Sequence, residues 1–197
     1  MLDEGYIKFR LEWEEAPAPD VPAALLQVRD RLHALGLVGM YADSGIGFGN
    51  VSVRMPDGQI LISGSGTGAV AQSSPGLFST VIAYDIPRNW VHCRGPVPAS
   101  SETLTHAMLY ACDPQIGAVL HVHQLAAWNR LLHRVPTTQA DTPYGTPEMA
   151  LEVKRLYEGE ELPKCRFLAM AGHEEGMIAF GNDCWSAMAV LEKWIFA

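Results

Sequence analysis

Basic residues are scarce in this 197-residue chain: fourteen Lys and Arg stand against twenty-two Asp and Glu, a formal net charge of -8. Such a field repels nucleic acid and anionic membrane surfaces, so neither is expected as a partner, and any phosphate-bearing ligand must be held by local groups. Long apolar runs are missing as well, for no stretch approaches the ~20 residues needed to cross a bilayer. The opening Met1-Leu2-Asp3-Glu4 lacks the basic patch and apolar run of a secretory signal, which makes the cytoplasm the expected location. Cysteine is sparse and scattered, at Cys93, Cys112, Cys165 and Cys184. With no C-x-x-C pair, a redox motif or structural zinc knuckle is not expected, and reduced structural thiols are. Internal repeats and low-complexity tracts are absent.

What is present is a hydrophobic fraction of 48%, enough for one sizeable core, and the length favours a single domain over residues 1–197. Residues 1–19 read as an N-terminal strand and a stiff connector. Ile7, Phe9, Leu11 and Trp13 alternate with polar residues at strand period, as an edge hairpin arm or a strand at a subunit contact, before Pro17 and Pro19 interrupt any ladder. Asp20 can cap a helix with Pro22 in its first turn, and Leu25, Val28, Leu32 and Leu35 repeat at helical spacing until Gly36. Val51 and Val53, the turn Pro56-Asp57-Gly58 and the return Ile60-Leu61-Ile62 form a hairpin signature. Ser100 or Ser101 can cap a helix to about Cys112, and Ile116–Val122 follows as an apolar strand. A helix over Pro147–Tyr157, strands at Arg166–Met170 and Met177–Phe180, and a closing helix over Trp185–Trp194 complete the pattern. Hairpins interspersed with helices predict a layered α/β domain with a substantially antiparallel sheet.

His121 and His123 stand one residue apart on the expected strand and therefore project from the same face. Imidazole nitrogens at ~2.0 Å suit zinc, and a catalytic site adds ligands from elsewhere while keeping one position open. An apolar strand carries both rings toward a buried edge, where each needs a partner and a metal provides one. Glu102, His106, His133 and His173 are the candidates for further ligands. Glu102 opens a helix whose amides favour an ionised carboxylate, and His106, four residues on, shares its face, so spacing cannot separate their roles. His33, His92 and His133 have no second metal-type residue at ligand spacing and read as ordinary histidines.

Three corners could hold an anion. Ser63-Gly64-Ser65-Gly66-Thr67-Gly68 follows a strand with three glycines in five positions, which lets successive amides line a concavity, and the absence of lysine distinguishes it from a Walker loop. Gly47-Phe48-Gly49-Asn50 and Ala99-Ser100-Ser101-Glu102 are the other two, the last at a helix N-terminus. Sequence alone does not show whether they converge.

Taken in order, these motifs resemble the class II aldolase/adducin family over roughly Val21 to Trp194. The resemblance lies in Gly49-Asn50-Val51-Ser52-Val53-Arg54, in Ile62-Ser63-Gly64-Ser65-Gly66, in Ser100-Ser101-Glu102 with His106 and Tyr110, and in His121-Val122-His123. A departure stands at the later corner, where relatives read N-H-G and this chain reads Gly172-His173-Glu174-Glu175-Gly176.

The resemblance implies a three-layer α/β/α sandwich with a largely antiparallel central sheet, commonly a fourfold homotetramer. It implies His173 as the third ligand, His106 as a packing or supporting residue, and Glu102 as catalytic acid/base beside, or bound to, a zinc or other divalent transition-metal ion. By the same matching, Asn50, Ser65, Gly66, Ser100 and Ser101 would hold a substrate phosphate. The activity implied is that of a class II, zinc-dependent aldolase-like lyase that cleaves a carbon–carbon bond of a sugar phosphate through an enediolate. A second proton-transfer group, Tyr144, Asp141 or a residue of another subunit, would be needed. A dehydratase or 4-epimerase using the same site, and a non-catalytic adducin-like binding module, are the alternatives.

Overall fold

The computed structural model describes residues 5–197; residues 1–4 of the expected N-terminal segment lie outside the described residues. One eight-stranded sheet runs through the molecule. Its strands are β1 (Arg10–Glu15), β4 (Asn50–Arg54), β5 (Ile60–Ser63), β6 (Phe78–Asp85), β7 (Trp90–Gly95), β8 (Ala118–His123), β9 (Phe167–Ala169) and β10 (Gly176–Gly181). They lie in the order β1-β7-β6-β5-β4-β8-β10-β9. Every neighbouring pair is antiparallel except β1–β7, which is parallel. A two-residue ribbon, β2 (Gly39–Met40) with β3 (Gly47–Phe48), stands apart from it.

The helices are α1 (Ala23–Ala34), α2 (Thr103–Cys112), α3 (Leu125–Leu131), α4 (Pro147–Glu158), α5 (Glu161–Cys165) and α6 (Cys184–Ile195). Strand alternation sorts the core into two halves. Val51, Val53, Leu61, Ala118, Leu120 and Val122 pack with Leu25, Val28 and Leu32 of α1 and with Ala187, Met188 and Leu191 of α6. Ile60, Ile62, Val119, Ile178 and Phe180 point the other way, onto Leu104 and Met108 of α2, Met149 and Val153 of α4, and Leu162 of α5. At about 1.5–3 kcal/mol for each buried aliphatic side chain, burial on both faces is what holds β4, β5, β8 and β10 at the centre. The result is the three-layer sandwich that the sequence leads one to expect.

Several details differ from expectation. The N-terminal strand is displaced to Arg10–Glu15 and is an edge strand, but it pairs in parallel with β7 instead of forming a hairpin arm. Trp13 stays 40% exposed, its indole nitrogen donating to the carbonyl of Gly95 at 2.9 Å. Pro22, not Asp20, occupies the α1 cap position, and Glu102, not Ser100 or Ser101, that of α2. Ser100 acts one step earlier: its carbonyl accepts from the Thr103 amide at 3.1 Å and its hydroxyl from the Glu102 amide at 3.3 Å. The β6–β7 hairpin and the short helices α3 and α5 have no counterpart in the sequence reading. Among the described residues, no helix is long and apolar enough to cross a membrane.

Candidate metal centre and anion cavity

On β8 the even-numbered residues enter the α1/α6 core and the odd-numbered ones face α2. That alternation brings His121 and His123 to the α2 side, with their ring centroids 4.9 Å apart. His173 arrives from the corner between β9 and β10, its centroid 5.0 Å from His121 and 4.7 Å from His123. Each ring offers a nitrogen, and these three atoms all lie within 4.8 Å of one another. The corner depends on Gly172, because a Cβ there would lie 1.9 Å from the carbonyl oxygen of Thr142.

All three rings are buried, at 1% exposure for His121 and His123 and 3% for His173. Burial first, and the neighbouring rings second, hold His121 and His123 well below the usual histidine range, so both stay neutral at physiological pH. Neutral imidazole is the form that binds a metal. His121 Nε2 is a buried atom with no hydrogen-bond partner among the described residues. The donor set therefore fits a divalent ion, and nitrogen ligands of this softness suit zinc.

The strand beside β8 supports this arrangement. Asn50, Ser52 and Arg54 alternate on β4 and share the α2 face. Asn50 stands opposite His121, its Nδ2 3.2 Å from His121 Nδ1, while its Oδ1 is buried without a hydrogen-bond partner. Exchanging the two ends of that amide lets Oδ1 accept from Nδ1–H, and this tautomer leaves Nε2 with a lone pair for an ion. Ser52 Oγ meets His106 Nδ1 at 2.7 Å and the Tyr110 hydroxyl at 2.8 Å. Arg54 donates to the carbonyls of Tyr110, Asp113 and Ile116, which ties the C-terminal end of α2 to β4. The other end of α2 carries Glu102.

Glu102 is 1% exposed, and its Oε1 lies 3.8 Å from His173 Nδ1. His106 is fully buried and is not among the three that converge. Tyr144 stacks on His173 at 4.6 Å and its hydroxyl accepts from the Tyr6 amide at 3.1 Å, whereas Asp141 is exposed. His133 is exposed, and His92 pairs with Glu14 at 2.8 Å.

The three glycine- and serine-rich corners do converge. One cavity of about 210 Å³ is lined by Gly47, Gly49 and Asn50, by Gly64 to Gly68, by Ser100 and Ser101, and by Glu102 and His121. Gly68 is where this loop presses on the β2–β3 ribbon, for a Cβ there would lie 2.0 Å from the carbonyl oxygen of Gly39. Sequence reasoning did not find Arg29 or Tyr41, and it marked Glu175 only as one of two acids beside His173. Tyr41 bridges His123 and Glu175, and Arg29 sits behind the glycine loop. The two acids of the 172–176 corner were the one available signal.

A largely antiparallel sheet between two helical layers is the fold shared with class II aldolase-type structures. A family model described as the Class II Aldolase and Adducin N-terminal domain matches residues 29–196, and the chain belongs to that family. Among its relatives are methylthioribulose-1-phosphate dehydratases. That of Gluconobacter oxydans (strain 621H) is 31% identical over 167 residues, covering 73% of this chain and 76% of the relative. That of Pseudomonas syringae pv. syringae (strain B728a) is 32% identical over 136 residues, covering 68% and 55%. Solved structures share the fold: an L-fuculose 1-phosphate aldolase at a TM-score of 0.64 and 22% identity, covering 86% of this chain and 78% of that one, and a sugar-phosphate aldolase from Thermotoga maritima at 0.63 and 20%, covering 87% and 90%.

Proposed function

We propose that this protein is a metal-dependent lyase that eliminates water from a phosphorylated hydroxy-ketone, the reaction type named for its methylthioribulose-1-phosphate dehydratase relatives. The observation that carries the reading is the shared cavity: Glu102 and His121 line the same space as the Gly64–Gly68 loop and the Ser100–Ser101 corner. A ketose phosphate needs these two kinds of group a few ångströms apart, one for its carbonyl end and one for its phosphate.

In this reading His121, His123 and His173 hold the metal, zinc by the chemistry of its ligands, with Glu102 beside it or bound to it. The ion would supply polarisation of the substrate carbonyl, which acidifies the neighbouring C–H bond. Glu102 takes that proton. As the carbon–carbon double bond forms, the hydroxyl on the next carbon leaves and receives the proton that Glu102 now carries, so that water and an enol are released. Asn50, Ser65, Gly66, Ser100 and Ser101 bind the phosphate through amides and hydroxyls. Burial keeps water from competing for the carboxylate. The reading takes 1–197 as one domain and the assembly as a homotetramer.

Carbon–carbon cleavage is the second reading, favoured by Glu102 being the one carboxylate lining the cavity among the described residues. The deciding experiment incubates the zinc-loaded protein with a panel of ketose 1-phosphates and follows products by mass spectrometry. Loss of 18 mass units without fragmentation is expected. Two smaller carbonyl fragments would establish the aldolase reading instead, and a protein that takes up no zinc on loading and turns over no panel member would leave a binding module.

A further inference from the structure

The anion cavity has no lysine or arginine among its described lining residues, so its affinity for a phosphate must come from amides and hydroxyls or from a charge standing behind them. Such a charge is present. Arg29 of α1 is only 2% exposed, and the adjacent Asp30 carboxylate acts on it electrostatically without a salt bridge among the described residues. Its guanidinium instead donates to three carbonyls of the loop following β5: Thr67 at 2.9 Å, Gly68 at 3.2 Å, and Val70. The adjacent Asp30 accepts from the amide of Ser73 at 2.7 Å and from its hydroxyl, so two successive helix residues pin the same loop.

The loop's other face is the cavity wall. The amides of Gly66, Thr67 and Gly68 donate to no described residue. In a trans peptide the N–H and C=O groups point in opposite directions, so fixing the Thr67 carbonyl on the guanidinium turns the Gly68 amide away from Arg29. Gly66, at φ +74°, adds the left-handed step by which successive amides are gathered into an anion-binding concavity. A buried cation is costly unless its hydrogen bonds are satisfied, and burial shifts this guanidinium's pKa downward, with the neighbouring Asp30 charge opposing that shift. A second anionic group nearby would offset that cost.

We propose that Arg29 is a positioning residue for phosphate recognition: it shapes the 64–70 loop from behind and supplies, through the intervening peptide dipoles, the positive charge that the cavity wall itself lacks. The inference rests on the reading that this cavity takes a phosphate monoester. An ordinary structural arginine would serve stability alone; a positioning residue must also change anion affinity.

The test uses zinc-loaded full-length protein and inorganic phosphate as the probe. Phosphate binding is measured by calorimetry for wild type, Arg29→Gln and Arg29→Lys, with circular dichroism and metal content as controls for folding. Wild type is expected to bind. Arg29→Gln should bind at least tenfold more weakly with metal content unchanged, and Arg29→Lys should recover part of the loss. With a turned-over phosphorylated substrate, KM should rise more than kcat falls.

A folded Arg29→Gln protein that binds phosphate within twofold of wild type overturns the inference while leaving the phosphate reading intact. Wild type that binds no phosphate overturns that reading, and the inference with it, before any variant is made. Should Arg29→Gln not fold, nuclear magnetic resonance of wild type decides. The Arg29 side-chain N–H signal should shift on phosphate titration together with the amides of Gly66 to Gly68; a stationary Arg29 signal beside shifting amides overturns the inference.

Discussion

The hydroxyl of Tyr41 lies 3.0 Å from His123 Nδ1 and donates to Glu175 Oε2 at 2.9 Å. Because the tyrosine proton is committed to the carboxylate, its oxygen accepts from Nδ1–H, and His123 is left with its Nε2 lone pair on the side of the other two rings. Such supporting partners typically tune metal affinity by about 10–100-fold. Tyr41→Phe should lose zinc to a chromogenic chelator at a concentration lower by about that factor, and Glu175→Gln should lie between it and wild type. Chelator curves that superimpose for all three proteins would remove the relay from the account.

Glu102→Gln tests the acid/base role. The change keeps the shape of the side chain and removes its ability to accept a proton, so turnover should fall by about 10²–10⁴-fold. Metal content per chain, measured by elemental analysis, should stay at the wild-type level, because three histidines remain. Full turnover in the variant would refute the assignment.

Metal removal should be visible in stability as well as activity. An ion present at about a thousand times its dissociation constant stabilises the folded state by about 4 kcal/mol, which for a chain of this size is roughly 8–16 °C in Tm. A metal chelator should therefore lower Tm by several degrees and added zinc restore it. His121→Ala should show neither response; if it keeps both, the three-ring cluster is not where the ion binds.

His106 gives a pH prediction. Complete burial pushes its pKa down to about 3, and Ser52 holds its Nδ1. The sign follows from proton counts: between about pH 6.5 and 3 the unfolded chain protonates this ring while the folded chain does not. Stability is therefore lost as pH falls through that window, with a slope of up to ~1.4 kcal/mol per pH unit from this one group. His106→Gln should flatten the acid limb of a denaturation series by about that slope, whatever it does to stability at pH 7. An unchanged slope would mean that the ring is protonated in the folded protein.

Much of the architecture could be read from periodicity. Val51 and Val53 against Ile60 to Ile62, with Gly58 at φ +85° in the turn, make a hairpin whose register follows from local chemistry. The period of β1 likewise marks a strand, but neither its partner nor its direction, since alternation is the same in parallel and antiparallel ladders; the pairing with β7 came from the structure. For the site, one residue between His121 and His123 was enough to put both rings on one face. His173 was a candidate among several until the resemblance favoured it, and its closeness to the pair is a property of the fold.

Short-range order, then, was determined by the sequence alone: which segments alternate at period two or at helical spacing, where glycine or proline must interrupt them, and that two rings of one strand look the same way. The contacts of Arg29 with Thr67 and Gly68, of Tyr41 with Glu175, and of Glu102 with His173 were decided only by the tertiary structure. They join residues tens of positions apart, and no local preference encodes such a meeting. It is set by how the two helical layers pack on the sheet, a sum over many buried side chains in which each polar partner contributes little to choosing the fold and depends entirely on it for position.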